Sequence, residues 1–364
     1  MADLELELAE RVRQAIAKRT PLHIHGGKTK SFYGGACIGE PLDMTSHAGV
    51  VSYEPTELVI TARAGTPLAE IEALLAEKNQ VLPFEPPHFS PPPQAGEGPG
   101  ERAGSQATFG GMLAAGLSGP RRPWAGALRD AVLGVKIING RGEVLSFGGQ
   151  VMKNVAGYDV SRLMAGSLGT LGVILEASVK VLPRPACALT LVQEVDAETA
   201  ARRLLELGRK ALPLSGSLYH DGRLWLRLCG AEQGVAAARE AIGGEEEPAD
   251  VWHAVRDQTL PFFNTPRPLW RVSLPAAAPG LALPGETLTE WGGALRWLVS
   301  EAAPETIRAR AQALGGHATW FRNHDGRAPV FHPLPAPLMA LHRAVKQSLD
   351  PHGLFNRGRM YPDL

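Results

Sequence analysis

Glycines stand at 110, 111, 116 and 119, and again at 157, 166, 169 and 172, in apolar surroundings with few turn signals. Glycine weakens helices and strands, so that density needs a reason. Two are open: close approach of backbone to a flat or phosphorylated ligand, or turns and tight helix packing. A second glycine-rich turn, GGKTKSFYGG at 26–35, offers backbone N–H groups that can nest an anion, with positive charge from Lys28 and Lys30 and hydroxyls from Thr29 and Ser31. It is not GxGxxG, which disfavours a Rossmann dinucleotide site. Arg121, Arg122 and Arg129 flank Trp124. They suit a bidentate clamp on a carboxylate or phosphate, and equally the edge of a bound cofactor or a partner surface. His317, His324 and Asp325, in GGHATWFRNHDG at 315–326, are the acid–base candidates, with ordinary surface or interface histidines as the plainer alternative. No short His/Glu spacing marks a zinc site, and no metal is expected.

These residues need elements to hold them. A chain of 364 residues implies about two domains, and 44% hydrophobic residues are enough for two cores. Lys+Arg and Asp+Glu both number 37, and zero net charge argues against a nucleic-acid partner while leaving a small anionic substrate open. Cys37, Cys187 and Cys229 lie far apart without CxxC spacing. They read as small apolar filler in a reducing compartment, and three cannot hold a conventional iron–sulfur cluster. The opening MADLELELAERVRQ is acidic and amphipathic rather than a signal peptide, and no apolar run is long enough to span a bilayer. A cytoplasmic protein is expected, with peripheral membrane attachment through a partner left open.

Leu4, Leu8, Val12 and Ile16 form a helical stripe ended by Pro21. Residues 21–27 read as a short strand entering the glycine turn. Residues 42–87 read as strand, strand, helix and strand, with Thr66 capping a helix that has Pro67 in its first turn. Pro83, Pro86 and Pro87 stiffen a turn near His88. The proline- and glycine-rich segment 88–106 reads as a mobile surface loop inserted before ATFGG. Residues 131–147 read as two strands around a turn at 139–142, and a β-branched strand ends at Pro183. Beyond it, over 186–330, periodicities change. A strand leads to a helix capped by Asp196, a hairpin turns at Asp221–Gly222, and strands and helices alternate onward. This is a compact α+β domain with ferredoxin-like character, in which Trp252, Trp270, Trp291, Trp297 and Trp320 are mostly core. A helix over 336–350 carries Leu338, Leu341 and Val345 on one side.

The order of these motifs resembles the FAD-binding domain of the vanillyl-alcohol oxidase/PCMH flavoprotein superfamily. The resemblance is carried by IHGGKTKSFYG (24–34), Ala107–Gly111, Ser118–Gly119, Arg129–Asp130, Lys153, Gly157–Asp159, Gly166–Ile174 and LDPHGLFNRGRM (349–360). Within it, GPRRPWAGALRD (119–130), GGQVMKNVAGYD (148–159) and TEWGGALRWL (289–298) are similar to the FAD-binding subunits of bacterial glycolate oxidases. The resemblance implies an α+β fold: a two-subdomain PCMH-type FAD domain over 1–185, a ferredoxin-like cap over 186–330, and a tail, 331–364, returning to the FAD domain. It implies that Gly26, Gly27, Lys28, Thr29, Lys30 and Ser31 meet the pyrophosphate. Ala107, Thr108, Phe109, Gly110 and Gly111, with Ser118 and Gly119, would line the diphosphate–ribityl region. Gly169, Thr170, Gly172, Val173 and Ile174 would line the adenosine end, with Pro87 also at the cofactor. Asp159 is structural or a hydroxyl partner. No histidine or cysteine stands where relatives often carry a covalent flavin link, so non-covalent FAD is expected.

The resemblance further implies partners: a paralogous flavin subunit holding the main substrate site, and an iron–sulfur subunit, together oxidising glycolate to glyoxylate. The histidine–acid cluster of related D-2-hydroxyacid dehydrogenases is not matched at 315–326. Two other readings stay open. One is a self-sufficient glycolate or D-lactate dehydrogenase with Arg121 or Arg122 on the carboxylate and His317 or His324 as base. The other is a scaffold subunit that has lost the cofactor.

Overall fold

The computed structural model describes residues 2–89, 106–149, 159–326, 328–362 and 364. Lys153 and Gly157, and 90–105 of the expected loop insertion, lie outside the described residues. The chain divides into two compact units, one of Met1–Leu117, Ala127–Pro183 and Pro333–Leu364, the other of Ser118–Gly126 and Arg184–His332.

In the first unit, α1 (Ala2–Lys18) is followed by β1 (Leu22–His25) and β2 (Glu40–Asp43), which pair in parallel. β3 (Val50–Glu54) and β4 (Val59–Arg63) form a hairpin, and α2 (Leu68–Glu77) and β5 (Gln80–Val81) follow. α3 (Phe109–Ala115) comes next in this unit. In chain order α4 (Arg122–Ala125) falls in the second unit, and α5 (Leu128–Ala131) returns to the first. β6 (Val132–Ile138), β7 (Val144–Gly148), α6 (Val160–Met164), β8 (Val173–Lys180) and β9 (Leu182–Pro183) complete this part. β3, β4, β8, β6 and β7, in that order, make a five-stranded antiparallel sheet. The stripe on α1 is real: Leu8, Val12 and Ala15 are buried against the core shared by that sheet, α2 and α3. α2 starts differently from expectation. Pro67 is its N-cap, with no side-chain cap bond. The Thr66 hydroxyl instead donates to the Arg63 carbonyl at 2.8 Å and accepts from Gly49 N–H at 2.9 Å, tying the strand end to its neighbouring loop. Asp159 caps α6, accepting from Arg162 N–H at 3.1 Å.

The second unit runs β10 (Cys187–Glu194), α7 (Ala197–Gly208), β11 (Leu214–His220), β12 (Arg223–Gly230), α8 (Glu232–Ile242), β13 (Glu245–Glu247) and α9 (Asp250–Arg256). It continues through β14 (Leu269–Ser273), β15 (Glu286–Glu290), β16 (Leu295–Val299), α10 (Pro304–Ala313) and β17 (His317–Arg322). The strands form one sheet in the order β13-β10-β12-β11-β15-β16-β14-β17. The expected ferredoxin-like character is present and doubled. The first four strands occur in the order 4-1-3-2 of a split βαβ unit, and the last four repeat it in mirror sequence, joined where β11 pairs β15. Asp196 caps α7 through Thr199 N–H at 2.7 Å, and the β11–β12 hairpin turns on Asp221 and Gly222, both at positive φ. The five tryptophans read as cap core are all buried.

Ser118–Gly126 departs from the expected partition, which had placed it with the first domain. Trp291 Nε1 donates to the Gly119 carbonyl at 3.1 Å, Arg122 lies over the Trp291 ring, and Trp124 packs on the β10–β12 core. An aromatic hydrogen bond and a cation–π contact outweigh sequence continuity here. Helix α11 (Ala336–Leu349) and the tail after it belong to the first unit.

Candidate functional site

The first unit holds an open cavity of about 170 Å³. One wall is the chain from His23 to Ser31. The floor is Ala64 with Thr108, Gly110, Gly111, Ala114 and Ala115 on or beside α3. The far wall is Leu168, Gly169, Gly172 and Ile174, and Asn356 and Arg359 from the tail close it.

Sequence reasoning reached much of this lining: Gly26, Gly27, Lys28, Thr29, Lys30, Ser31, Thr108, Gly110, Gly111, Gly169, Gly172 and Ile174 come together here. Other expected residues do not line the cavity. Phe109 and Val173 are fully buried in the core. Ala107 offers its carbonyl to Leu68 N–H. Thr170 is buried, its hydroxyl donating to the Ser167 carbonyl at 2.7 Å. Pro87 is buried away from the lining, and Ser118 and Gly119 lie in the second unit. Alternation explains the first pair: neighbours in a strand or short helix cannot all face one side.

The glycines have a specific physical reason. A Cβ on Gly27 would sit 1.6 Å from the Gln106 carbonyl oxygen, and one on Gly26 would sit 2.3 Å from Thr108 Oγ1. They let the 26–31 turn press directly against the start of α3. Lys28 stands at φ 55°, and Ser31 N–H closes the turn on the Lys28 carbonyl. Among the described residues, Lys28 and Thr29 N–H meet no internal acceptor. The donors of ATFGG are spent instead. Phe109 N–H donates to the Thr66 carbonyl, Gly110 N–H to the Ala64 carbonyl, and Gly111 N–H to Thr108 Oγ1. The backbone donors without an internal partner thus lie in the lysine turn, while the ATFGG motif builds the floor.

Two residues of the tail were not given roles from sequence. Arg359 donates to the carbonyls of Lys30 at 3.0 Å, Ser31 at 2.9 Å and Gly35 at 3.1 Å, and burial pushes its pKa down. Asn356 accepts from Ile24 N–H at 2.7 Å and donates to the carbonyls of Leu168 at 2.7 Å and Ile24 at 3.3 Å, stitching both walls together. The sequence signal was their membership of LDPHGLFNRGRM (349–360), which placed the tail at the FAD domain without assigning either side chain a partner. His23 and His25 also line the cavity, their rings edge-on at 5.6 Å. Burial pushes the His23 pKa down, and His25, Arg359 and Lys28 add to the effect. That cationic neighbourhood, with two donor N–H groups, fits a diphosphate, and the apolar floor fits the rest of a flavin nucleotide. Asn356→Ala should orphan Ile24 N–H and the Leu168 carbonyl, costing about 2–4 kcal/mol in urea unfolding and weakening FAD about tenfold in a fluorescence titration.

The acid–base candidates are in the second unit and are not paired with each other. His317 begins β17, and its ring neighbours His332 at 6.5 Å. Surrounding packing lowers its pKa, with Arg271 and His332 adding repulsion. His324 lies past the other end of β17, edge-on to Trp320 at 6.4 Å. Arg121 precedes α4 without a cap bond from its side chain. Arg122 and Arg271 both lie over Trp291, at 4.6 and 5.0 Å from its centroid. Arg129 sits 3.7 Å from the neighbouring Asp130 and is exposed. Among the described residues, no helix is long and apolar enough to cross a membrane.

Comparison with known proteins agrees with this geometry. The model of the FAD binding domain family matches residues 2–92. The chain is 52% identical over 362 residues to glycolate oxidase subunit GlcE of Escherichia coli, covering 100% of this chain and 99% of that protein. Glycolate oxidase subunit GlcD of Bacillus subtilis is 41% identical over 85 residues, 23% of this chain and 18% of that one. Among solved structures, an alkyldihydroxyacetonephosphate synthase superposes with a TM-score of 0.64 at 13% identity, covering 96% of this chain and 74% of that one, a likeness of fold. The chain is an FAD-binding oxidoreductase of the α+β, vanillyl-alcohol oxidase/PCMH type, and it belongs to the family of glycolate oxidase subunit GlcE.

Proposed function

We propose that this chain is the FAD-binding subunit of a glycolate oxidase complex that converts glycolate to glyoxylate, with the main substrate site on a paralogous flavin subunit and an iron–sulfur subunit carrying electrons onward. The observation that carries this reading is an asymmetry. The first unit has a cavity whose glycine- and lysine-rich lining suits FAD, whereas His317 and His324 stand apart at the two ends of β17. The near full-length likeness to GlcE, and the local likeness to GlcD, support the division into subunits. Membrane association, where it occurs, runs through those partners.

Bound FAD supplies the acceptor for a hydride from an alcohol carbon. The chain's residues bind and orient it. Lys28, Lys30 and the turn N–H groups hold the diphosphate, Arg359 fixes that turn by three carbonyls, and Asn356 sets the spacing of the two walls. The hold is non-covalent.

A second reading, a self-sufficient 2-hydroxy-acid dehydrogenase, is favoured by one observation. Arg122 and Arg271 converge on Trp291, and Arg271 acts electrostatically on His317, so a carboxylate clamp and a base lie on one unit. One experiment separates the two. The purified chain, reconstituted with FAD, is mixed anaerobically with glycolate. Flavin bands that persist, followed by release of the colour on acid precipitation, are expected. Rapid bleaching by glycolate alone would transfer the substrate site to this chain.

A further inference from the structure

Behind the cavity floor, three elements converge. Glu5 on α1, His47 in the turn between β2 and β3, and Glu176 on β8 each place one donor atom within 4.8 Å of the others. The His47 residue is 2% exposed, and its Nε2 has no hydrogen-bond partner. A buried polar atom without a partner is rare in a folded protein.

The charges around this ring are unbalanced at close range. Lys136 Nζ meets Glu5 Oε2 at 2.6 Å and so neutralises one carboxylate through one oxygen. Glu176 makes no ion pair among the described residues, although Arg63 and Lys136 are its register partners in β4 and β6. A neutral imidazole with its lone pair beside a carboxylate is repelled unless a proton or a cation lies between them.

We infer that Glu5, His47 and Glu176 form a binding site for a divalent transition-metal ion of the zinc class. An imidazole nitrogen with two carboxylates suits zinc and its neighbours, whereas calcium and magnesium favour all-oxygen sets. Three protein ligands leave a fourth position for water. The second oxygen of Glu5 ligates while Lys136 keeps the first. The ion braces the back of the flavin cavity. The His47 carbonyl accepts from Gly65 N–H and the Leu175 carbonyl from Ala64 N–H, and Ala64 is part of the cavity floor. This site is independent of the substrate assignment proposed above.

The test is isothermal titration of the EDTA-stripped chain with zinc chloride alone, repeated for Glu176→Gln and His47→Ala, with circular dichroism as the check on folding. The expected result is one zinc per chain, with affinity falling at least tenfold in each variant that keeps the native spectrum. Cobalt(II) added to the stripped wild-type chain should give visible d–d bands that both variants lack. No stoichiometric zinc, or equal binding by wild type and Glu176→Gln, would overturn the site and leave adventitious surface binding only. Glu176→Gln hardly changes volume, so it decides the matter even where His47→Ala fails to fold.

Discussion

Lys346→Met should destabilise the first unit by about 3–5 kcal/mol, the cost of removing one partner from a buried ion pair. Lys346 Nζ uses all three of its donors, to Asp350 Oδ2 at 2.7 Å, the Thr170 carbonyl at 2.7 Å and the Phe355 carbonyl at 3.1 Å. The Asp350 side chain is fully buried, and its two oxygens also accept from Leu354 and Phe355 N–H. Without the ammonium, a carboxylate stays in the interior with two amide donors, and two carbonyls lose theirs. For a unit of this size the loss corresponds to a fall in Tm of roughly 6–20 °C. The double variant Lys346→Met/Asp350→Asn should recover part of it, because no uncompensated charge then remains buried. A melting temperature unchanged in Lys346→Met would show that the ammonium contributes no more than an exposed pair. The effect should extend to the cofactor. Thr170 follows the wall residues Leu168 and Gly169, and Phe355 precedes Asn356, so one ammonium anchors the far wall and the tail that closes it.

That anchor marks where the sequence stopped being readable. The anion turn was legible because its chemistry is local: two glycines, two lysines and two hydroxyl residues within six positions suffice to propose a nest. The Asp196 cap of α7 and the Asp221–Gly222 hairpin were legible for the same reason, each depending on residues at most a few positions apart. The role of Asn356 was not, because its partners Ile24 and Leu168 are 332 and 188 residues away. Nor was the place of Ser118–Gly126. Its affiliation is set by Trp291, more than 160 residues later, and no periodicity in GPRRPWAG reports that contact. The resemblance to flavoproteins bridged part of this gap by linking the two ends of the chain. It carried motif membership rather than side-chain direction, and so included Phe109 and Val173, which point into the core.

The two adjacent glycines of ATFGG separate structure from binding. Gly111→Val should leave the fold in place and weaken FAD by at least 100-fold, about 2.7 kcal/mol. Gly110→Val should instead damage the fold. A Cβ on Gly110 would lie 2.5 Å from the Ala64 Cβ and 3.0 Å from its Cα and carbonyl oxygen, and the wall it would strike is strand-end backbone that cannot yield. A Cβ on Gly111 would approach one atom, Thr108 Oγ1, at 2.9 Å, with open space elsewhere and the cavity beside it. The hydroxyl can rotate away at the cost of its cap bond, about 1 kcal/mol. The valine methyls then occupy volume the cofactor needs. Equilibrium dialysis against FAD, read beside urea unfolding, distinguishes the two sites. Stoichiometric flavin retained by Gly111→Val would show that Gly111 supports the cavity floor without the cofactor touching it. In that case the cofactor rests on Ala114, Ala115 and Ile174 instead, and its contacts lie nearer the far wall.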